Sequence, residues 1–452
     1  MTRMPGSPRT LLKAGTIVTM DLGRRVLRGG ALVLNDSTIE AVCNADELRA
    51  LREFDGKVID EPRSTIIPGF IQTHIHLCQT LFRGLADDLD LIKWLTLKIY
   101  PLEAAHNASS MRASSLSGIA ELLRSGTTTI MDMGSVGYEE EIASAIEETG
   151  IRAFIGKAMM DVNDSYPPLR ESTADAVRST LHQAEAWHGK ADGRLLYAVA
   201  PRFVLSCTDP LLREAYAMTR NFPGMLLHTH AAESRREMDA VQKRCGMSNV
   251  EFFDSIGILR SNTCLAHCIW LNEKEIALVK EHGAKVLHCP SSNLKLGSGI
   301  ANIPEYLRRG ISVSLGADGA PCNNRLDMFE EMRLAALIQK PDHGPAAMDA
   351  QTVFELATLG GARVLGLQRS CGSLEPGKKA DLVVLDCSRV WNPATEEDVY
   401  STIVYSGSPE NVRSVMIDGR WVRWDGTTVT LDEPGVAETA RRELQLLRTR
   451  VH

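Results

Sequence analysis

The 452-residue sequence lacks a long apolar run, a basic excess and a signal-like N-terminus. No apolar stretch approaches the ~20 residues that a helix needs to cross a membrane. The first residues, MTRMPGSPRT, include basic side chains, but no apolar core of a secretory signal follows them. Lys and Arg number 50 against 57 Asp and Glu, and the formal net charge of −7 argues against a nucleic-acid partner. We therefore expect a cytoplasmic protein without a membrane or nucleic-acid partner.

Paired cysteine motifs are also missing. The ten cysteines are scattered along the chain, and no two of them form a C-x-x-C motif. The nearest pair, Cys264 and Cys268, frames a histidine in CLAHC, but a zinc ribbon would need a second such pair. In a long chain without a signal, this distribution is typical of reduced, buried thiols rather than of a disulfide framework.

The two ends of the chain and its middle have different patterns. Short strands are predicted near the N-terminus, in TIVTMD and ALVLNDSTIEAV, and near the C-terminus, in VRSVMIDGRWVRWDG. In the middle, an amphipathic helix repeatedly ends near a glycine and a β-branched run follows, at Gly126, Gly150, Gly283 and Gly310. Such units imply parallel strands, and at least four of them over about 200 residues favour a (β/α)8 TIM barrel. The alternative, an open doubly wound sheet, would carry a glycine-rich phosphate loop that is missing here.

Titratable residues recur at the predicted ends of these strands. In a barrel of parallel strands, chemistry takes place at the carboxyl ends of the strands, so these positions are candidates for an active site. A single histidine at a strand end is more often structural, but six of the twelve histidines lie at such ends. The candidates are His74, His76, His228, His230, Glu233, His267, His288 and Asp318.

The spacing of His74 and His76 indicates a metal site. Residues i and i+2 of a strand point to the same side, so both imidazoles can reach one ion in the barrel mouth. Neutral imidazoles suit Zn²⁺, with Fe²⁺ as the alternative. We predict one ion per chain, with His230 and Asp318 completing the protein ligands and one position left for water. Water bound to such an ion has a pKa near 7, which makes hydroxide available at neutral pH.

Three motifs, PGFIQTHIH, HAAE and GADG, together resemble the amidohydrolase superfamily, and the resemblance extends over nearly the whole chain. It implies a metal-centred (β/α)8 barrel with a composite β-sandwich domain built from both chain ends. Residues 1–67 and 371–452 would form the two halves of that β-sandwich domain, and residues 68–370 the catalytic barrel. By analogy with the family we also expect a homodimer or a higher homo-oligomer.

The HAAE motif is similar to that of the branch containing cytosine, adenosine and guanine deaminases. The resemblance implies that Glu233 moves a proton from the metal-bound water to a ring nitrogen of the substrate. It also implies that His267 polarises the tetrahedral intermediate and that Asp318 relays a proton to the leaving ammonia. The alternatives are a solvated Glu233 at a helix start, stabilised by the helix dipole, and a packed core histidine at His267.

The residues expected to contact the substrate indicate two different substrate classes. Gln79, Arg202 and Phe203 are similar to the residues with which guanine deaminases bind the purine. The segment TLFRGLADDLDLIKWL and the region after GADG instead resemble S-adenosylhomocysteine and 5′-deoxyadenosine deaminases and s-triazine hydrolases. Trp94 fits a substrate contact in either subgroup, or a core aromatic residue.

We therefore predict a metal-dependent hydrolytic deaminase that acts on an amino-substituted nitrogen heterocycle with water as co-substrate. Guanine or a related purine is the first choice, and S-adenosylhomocysteine or another 5′-modified adenosine is the second. The alternatives are an s-triazine chlorohydrolase or aminohydrolase, a binuclear cyclic amidohydrolase with a carboxylated Lys157, and an inactive scaffold. The sequence leaves the roles of His288 and Arg170 open.

Overall fold

The strands of the computed structural model, which describes residues 9–50, 53–387 and 398–451, form two separate sheets. The first four and the last four strands build one sheet, and the ten strands between them build the other. In chain order the strands are β1 Thr10–Val18, β2 Val26–Asn35, β3 Thr38–Cys43, β4 Lys57–Pro68, β5 Phe70–His76, β6 Thr127–Asp132, β7 Arg152–Ile155, β8 Ala158–Met159, β9 Leu195–Pro201, β10 Leu226–Ala231, β11 Thr263–His267, β12 Lys285–His288, β13 Val313–Leu315, β14 Asp318–Gly319, β15 Leu382–Leu385, β16 Val412–Ile417, β17 Arg420–Trp424 and β18 Thr427–Thr428.

Helices follow most strands of the second sheet. The α-helices are α1 Ala45–Ala50, α2 Leu91–Trp94, α3 Tyr100–Ala104, α4 Ala108–Arg124, α5 Glu139–Thr149, α6 Thr173–Trp187, α7 Lys190–Gly193, α8 Asp209–Met218, α9 Arg235–Cys245, α10 Asn249–Ser255, α11 Glu273–His282, α12 Pro290–Lys295, α13 Ile303–Arg308, α14 Ala320–Asn323, α15 Met328–Leu337, α16 Lys340–His343, α17 Ala350–Glu355, α18 Gly361–Val364, α19 Val399–Ser401 and α20 Glu433–Arg448. Short 3₁₀ helices span Leu77–Phe82, Pro167–Leu169, Val204–Ser206 and Pro409–Asn411, and π-helical turns span Leu95–Ile99, Leu356–Gly360 and Thr402–Ser406.

Local signals set the helix ends. All four glycines that were predicted to end a helix have a positive φ, between 68° and 85°. Gly150 ends α5 and Gly283 ends α11, and in both cases the glycine N–H bonds a carbonyl of the last turn. At the start of α11 the Asn272 side chain accepts a hydrogen bond from the N–H of Glu275. The helix–strand rhythm was therefore encoded by residues close together in the sequence.

The second sheet closes into a barrel of eight parallel strands. Strands β5, β6, β7, β9, β10, β11, β12 and β13 lie side by side in that order, and β8 continues the pairing of β7 along β9. After a short break, β14 continues the path of β13 and pairs with β5, where Asp318 lies opposite Ile75. The hydroxyls of Thr73 on β5 and Ser314 on β13 also lie 2.6 Å apart. The predicted (β/α)8 barrel is confirmed.

A separate sheet built from both chain ends is confirmed as well, whereas the bounds of the domains stay predictions. Its strands follow the order β18, β17, β16, β15, β4, β1, β2, β3, so that β4 joins the N-terminal part to the C-terminal part. The chain passes from β4 into the barrel at Gly69, where an added Cβ would lie 2.1 Å from Oγ1 of Thr128. A buried ion pair between Arg152 of β7 and Asp381, at 2.9 Å, also holds the barrel to this sheet.

The last helix packs mainly on the barrel, and its first residue, Glu433, bonds Arg423 and Thr428 of the composite sheet. Leu447 of α20 is fully buried in an apolar cluster with Trp94 and Phe203, and Nε of Arg450 donates to the carbonyl of Ala105 at 2.8 Å. The end of the chain thus supports the helices that border the barrel mouth. Among the described residues, no helix combines the length and the apolar character that crossing a membrane requires.

Candidate active site

Imidazoles and a carboxylate meet at the carboxyl ends of the barrel strands. Donor atoms of His74, His76 and His230 lie within 4.8 Å of one another, and so do those of His74, His267 and Asp318. Nε2 of His74 is 3.4 Å and Nε2 of His76 is 3.3 Å from Oδ1 of Asp318. The two histidines of β5 do share one side of the strand, with ring centroids 4.9 Å apart. Closure of the barrel therefore assembles this cluster from β5, β10, β11 and β14.

A hydrogen bond at Nδ1 orients each imidazole. Nδ1 of His76 and Nδ1 of His230 each donate to a backbone carbonyl at 2.7 Å, and Nδ1 of His267 donates to a side-chain amide oxygen at 2.8 Å. Nδ1 of His74 instead lies 2.7 Å from Nε2 of His228. In each ring, Nε2 is left available for a ligand in the cleft.

The donor set fits a divalent transition metal. Nε2 of His74 is buried and has no hydrogen-bond partner among the described residues. Burial lowers the pKa of His74 to about 4, so its imidazole is neutral at neutral pH and can donate a lone pair. Neutral imidazoles with one carboxylate form a ligand set that Zn²⁺ and Fe²⁺ accept. Three of the four residues predicted as ligands, His74, His76 and His230, therefore lie close enough to share one ion, and Asp318 lies within 3.4 Å of two of them.

Asp318 is held rigidly in this cluster. Its Oδ1 accepts a hydrogen bond from the N–H of Gly319 at 2.7 Å, and its Oδ2 accepts one from Oγ of Ser292 at 2.6 Å. Burial raises the pKa of Asp318, but the imidazoles of His74 and His76 outweigh this effect and hold that pKa well below its usual range. Asp318 also has a positive φ of 62°, a conformation that a non-glycine residue adopts at a cost and that is common at functional sites.

Glu233 lies in the same cleft and is 4% exposed, so it is not a solvated residue at a helix start. Its Oε2 is 3.5 Å from Nε2 of His267, and its Oε1 accepts from Oγ of Ser298 at 3.5 Å. Burial, with the nearby charge of Asp318, raises the pKa of Glu233 well above its usual range. His267 faces both carboxylates, because its Nε2 is also 3.9 Å from Oδ2 of Asp318.

The predicted substrate residues form one wall of this cleft, together with Leu91, Leu95 and Leu296. This wall contains a carboxylate that the sequence reasoning missed, Glu103 at the end of α3. Nη1 and Nη2 of Arg202 lie 2.8 and 3.1 Å from the two carboxylate oxygens of Glu103. We define the wall by the residues Gln79, Leu91, Trp94, Leu95, Glu103, Arg202, Phe203 and Leu296.

The side chains of Arg202 and Gln79 both form hydrogen bonds with Glu103. Nε2 of Gln79 donates to Oε1 of Glu103 at 2.9 Å, and the ring of Tyr100 lies 5.2 Å below the Arg202 guanidinium. The charge of Arg202 lowers the pKa of Glu103 against the effect of burial. Oε1 of Gln79 and Nε1 of Trp94 are buried without a partner among the described residues, so the wall offers one free acceptor and one free donor.

No local signal revealed Glu103. It lies in the run KIYPLEAAH, where one acidic residue among apolar residues has the pattern of an ordinary amphipathic helix. Its partner Arg202 is 99 positions further along the chain. Only the finding that the carboxylate is buried shows that it must be paired, because a buried unpaired charge is strongly unfavourable.

Lys157 lies outside the cluster. Its Nζ is 2.6 Å from both carboxylate oxygens of Glu171 and 3.1 Å from Oγ of Ser179. An amine held in this way is paired as an ammonium ion, and carboxylation would remove that pairing. The geometry therefore gives no support to the binuclear alternative, in which a carboxylated lysine bridges two metals.

The two residues whose roles were left open have different environments. Arg170 is exposed and pairs with Asp164 at 3.4 Å, which is the position of a surface ion pair. His288 is fully buried, and neither of its ring nitrogens has a hydrogen-bond partner among the described residues. Burial lowers the pKa of His288 to about 3.

The closed barrel and the imidazole–carboxylate cluster at its mouth agree with the family match of the chain. The profile of the amidohydrolase family matches residues 65–422, and the chain belongs to this family. A 5′-deoxyadenosine deaminase of Methanothermobacter thermautotrophicus is 40% identical over 421 residues, which cover 92% of this chain and 94% of that protein. A 5-methylthioadenosine/S-adenosylhomocysteine deaminase of Bacillus cytotoxicus is 34% identical over 439 residues, 96% of this chain and 98% of that protein.

A solved structure agrees with these relatives. The adenosine deaminase of Xanthomonas campestris, determined with bound zinc, matches with a TM-score of 0.91 and 30% identity, over 99% of this chain and 100% of that chain. The chain is therefore an enzyme, a deaminase that hydrolyses a carbon–nitrogen bond, as predicted.

The relatives bear on the order of the two predicted substrate classes. Guanine was the first choice, but E. coli guanine deaminase is a more distant structural match, with 26% identity and a TM-score of 0.83 over 92% of this chain and 99% of that chain. The relatives with higher identity are named for 5′-modified adenosines. Arg202, which suggested guanine, has both terminal nitrogens bonded to Glu103.

Proposed function

We propose that this protein deaminates a 5′-modified adenosine with an uncharged 5′ group, with 5′-deoxyadenosine as the first candidate. One divalent ion, zinc as the first candidate, would be held by His74, His76, His230 and Asp318. The observation that carries the proposal is a buried acid, Glu233, in one cleft with three of the proposed ligands, His76, His230 and Asp318, in a chain that is 40% identical to a 5′-deoxyadenosine deaminase.

The reaction replaces the amino group on a purine ring carbon with oxygen from water and releases ammonia. The metal would supply an activated water as the nucleophile. Glu233, whose pKa is raised by burial, would hold a proton at the cleft and donate it to the adjacent ring nitrogen as the new carbon–oxygen bond forms.

Two further residues would complete the proton transfer. His267, with Nε2 at 3.5 Å from Glu233 and 3.9 Å from Asp318, would hydrogen-bond the oxygen on which negative charge develops once Nε2 as well as Nδ1 carries a proton, a form that the charge of Asp318 favours. Asp318 would take one proton from the attacking water and return it to the amino group, which leaves as ammonia. Its low pKa keeps it ionised before the reaction, and it would hold the transferred proton only weakly and pass it on. Glu233 would take the second proton from the new hydroxyl group as the carbonyl forms, and this restores its protonated form.

The wall of the cleft favours an uncharged 5′ group. It contributes Leu91, Leu95, Leu296, Trp94 and Phe203, and the charge of its one cation is neutralised by Glu103. A carboxylate or ammonium on the 5′ tail would lose its hydration there without gaining a free partner, which is costly. The wall supports 5′-deoxyadenosine and 5′-methylthioadenosine over S-adenosylhomocysteine.

Ammonia release tests this proposal. The zinc-loaded protein would be assayed with 5′-deoxyadenosine, 5′-methylthioadenosine, S-adenosylhomocysteine, adenosine, guanine and an amino-s-triazine, and again after removal of the metal with a chelator. We expect the highest kcat/KM for 5′-deoxyadenosine or 5′-methylthioadenosine and no turnover after chelation. A preference for guanine would return Gln79 and Arg202 to base recognition. Turnover of the triazine alone would contradict the nucleoside proposal.

A further inference from the structure

His228 contacts the proposed metal centre without belonging to its ligands. It lies on β10 two positions before His230, its side chain is fully buried, and its Nε2 is 2.7 Å from Nδ1 of His74. The two rings meet edge to face, with centroids 4.9 Å apart. This contact joins β5 to β10 across the interior of the barrel, beneath the cluster.

His74 differs from the other imidazoles in what orients it. Nδ1 of His76 donates to the carbonyl of Met133, and Nδ1 of His230 donates to the carbonyl of Arg202. A backbone carbonyl can only accept, so the orientation of those two rings is fixed by the main chain. Nδ1 of His74 instead faces a second imidazole nitrogen, which can be a donor or an acceptor according to its tautomer.

Metal binding at His74 leaves one arrangement of protons. If Nε2 of His74 is the ligand atom, Nδ1 carries the proton and must donate it in the hydrogen bond. Nε2 of His228 must then be the acceptor, and the proton of His228 resides on Nδ1. Nδ1 of His228 is buried and has no hydrogen-bond partner among the described residues. No second contact of His228 within those residues therefore opposes this tautomer.

We propose that His228 is a positioning residue that accepts the Nδ1–H of His74 and thereby presents Nε2 of His74 to the metal. This inference rests on the metal centre of the proposed function but not on its substrate. Residues that hydrogen-bond a ligand imidazole in this way fix its tautomer and orientation, and their loss typically weakens metal binding by about 10–100-fold.

A pair of variants separates the acceptor from the volume of the ring. His228→Gln keeps an acceptor oxygen within reach of Nδ1 of His74, whereas His228→Leu has similar size but no acceptor. We expect the zinc dissociation constant, measured by competition with a chromophoric chelator, to rise roughly 10–100-fold in His228→Leu and much less in His228→Gln. In the cobalt-loaded protein, the visible absorption bands that report ligand geometry should change in His228→Leu alone.

His288→Leu is the matched control, because His288 is an equally buried histidine of a barrel strand whose nitrogens have no partner in the described part of the chain. Its zinc affinity should equal that of the unaltered protein. Equal loss of affinity in His228→Leu and His288→Leu would show a general packing effect and overturn the proposal, and so would unchanged affinity in His228→Leu.

A measurement on the unaltered protein covers the case in which His228→Leu fails to fold. Long-range ¹H–¹⁵N correlation of the zinc-loaded protein, with labelled histidine, should show His228 with its proton on Nδ1 and an unprotonated Nε2. A proton on Nε2 of His228 would overturn the proposal. Zinc affinity and tautomer are read without substrate, so failure of the substrate assay alone would leave this inference standing.

Discussion

The floor and the wall of the cleft use their polar groups in opposite ways. We define the floor as the cluster of His74, His76, His230, Glu233, His267 and Asp318. Hydrogen bonds at Nδ1 orient His76, His230 and His267 and leave Nε2 of each ring available. On the wall, Arg202 and Glu103 bond each other, and their charges cancel. Both regions are buried, so burial alone does not distinguish a reactive group from a structural one.

The difference shows what an unpartnered buried group means. Leaving a buried polar atom without a hydrogen bond is unfavourable, so each such atom needs an explanation, and at a binding site a ligand can supply the missing partner. Nε2 of His74 on the floor is of this kind, whereas no atom of Arg202 or Glu103 is. The floor is built to receive a ligand, and the charged pair on the wall is built mainly to hold the shape of the cleft.

The largest effect is expected on the floor. Glu233→Gln keeps the shape of the side chain but removes its ability to transfer a proton, and we expect kcat to fall by about 10²–10⁴-fold. Steady-state assays with metal analysis of the same sample would show a normal metal content. Glu275→Gln, at an equally buried glutamate in the first turn of α11, should leave kcat unchanged. Full activity in Glu233→Gln would reject the proposed proton transfer.

Substitutions in the wall should lower the free energy of unfolding more than they lower kcat. Glu103→Gln leaves the guanidinium of Arg202 buried without its counter-charge, and we expect a loss of about 3–5 kcal/mol in the free energy of unfolding. Denaturant unfolding would measure this loss. The double variant Glu103→Gln/Arg202→Met removes both charges and should recover much of the stability.

An exposed ion pair provides the control for the wall. Arg112 and Glu148 form a pair with side chains 36% and 43% exposed, and Glu148→Gln should cost less than about 1 kcal/mol. Equal losses in Glu103→Gln and Glu148→Gln would show that the pair on the wall contributes no more than a surface contact.

The smallest expected effect is the pH dependence of stability that comes from His106, a buried histidine that follows α3. His106 lies between the carbonyl of Cys78, at 2.7 Å, and Oγ of Ser110, at 3.0 Å. Burial lowers the pKa of His106 to about 4, below its ordinary value of 6.5. The unfolded chain therefore takes up this proton first. The neutral His106 side chain contributes fully to the free energy of unfolding above pH 6.5. This contribution, roughly 3 kcal/mol, is lost as the pH falls toward 4.

His106→Gln removes this titration while keeping a donor for the carbonyl of Cys78. Unfolding free energies measured between pH 4 and 6.5 should depend less on pH in the variant than in the unaltered protein. His182→Gln, at an exposed position of α6, is the control and should keep the original dependence. An unchanged slope in His106→Gln would show that other groups cause the acid sensitivity.

Much of the floor was predictable because its signals are local. The two-residue spacing of His74 and His76 places both side chains on one side of a strand whatever the rest of the fold does. The glycines that end the helices require a positive φ, and that requirement is also local. The wall was less predictable, because the pairing of Arg202 with Glu103 depends on two elements that meet only in the folded chain.

Predictions about individual residues stayed open for the same reason. Arg202 indicated guanine as long as its guanidinium was taken to be free, and its pairing removed that indication. His228 could be identified as a strand-end histidine, but its contact with Nδ1 of His74 depends on the distance between β5 and β10 inside the barrel. Sequence periodicity gives the side of a strand to which a residue points, not the residue that faces it.

The sequence by itself determined the repeating helix–strand units, the β-rich ends and the residue types at the strand ends, because each depends on backbone preferences over a few residues. The tertiary structure decided which of those residues meet. Pairing of β14 with β5 brings Asp318 to within 3.4 Å of His74, and burial of Glu103 forces it to neutralise Arg202. These contacts follow from barrel closure and from the cost of burying a charge alone, and both act only once distant parts of the chain are packed together.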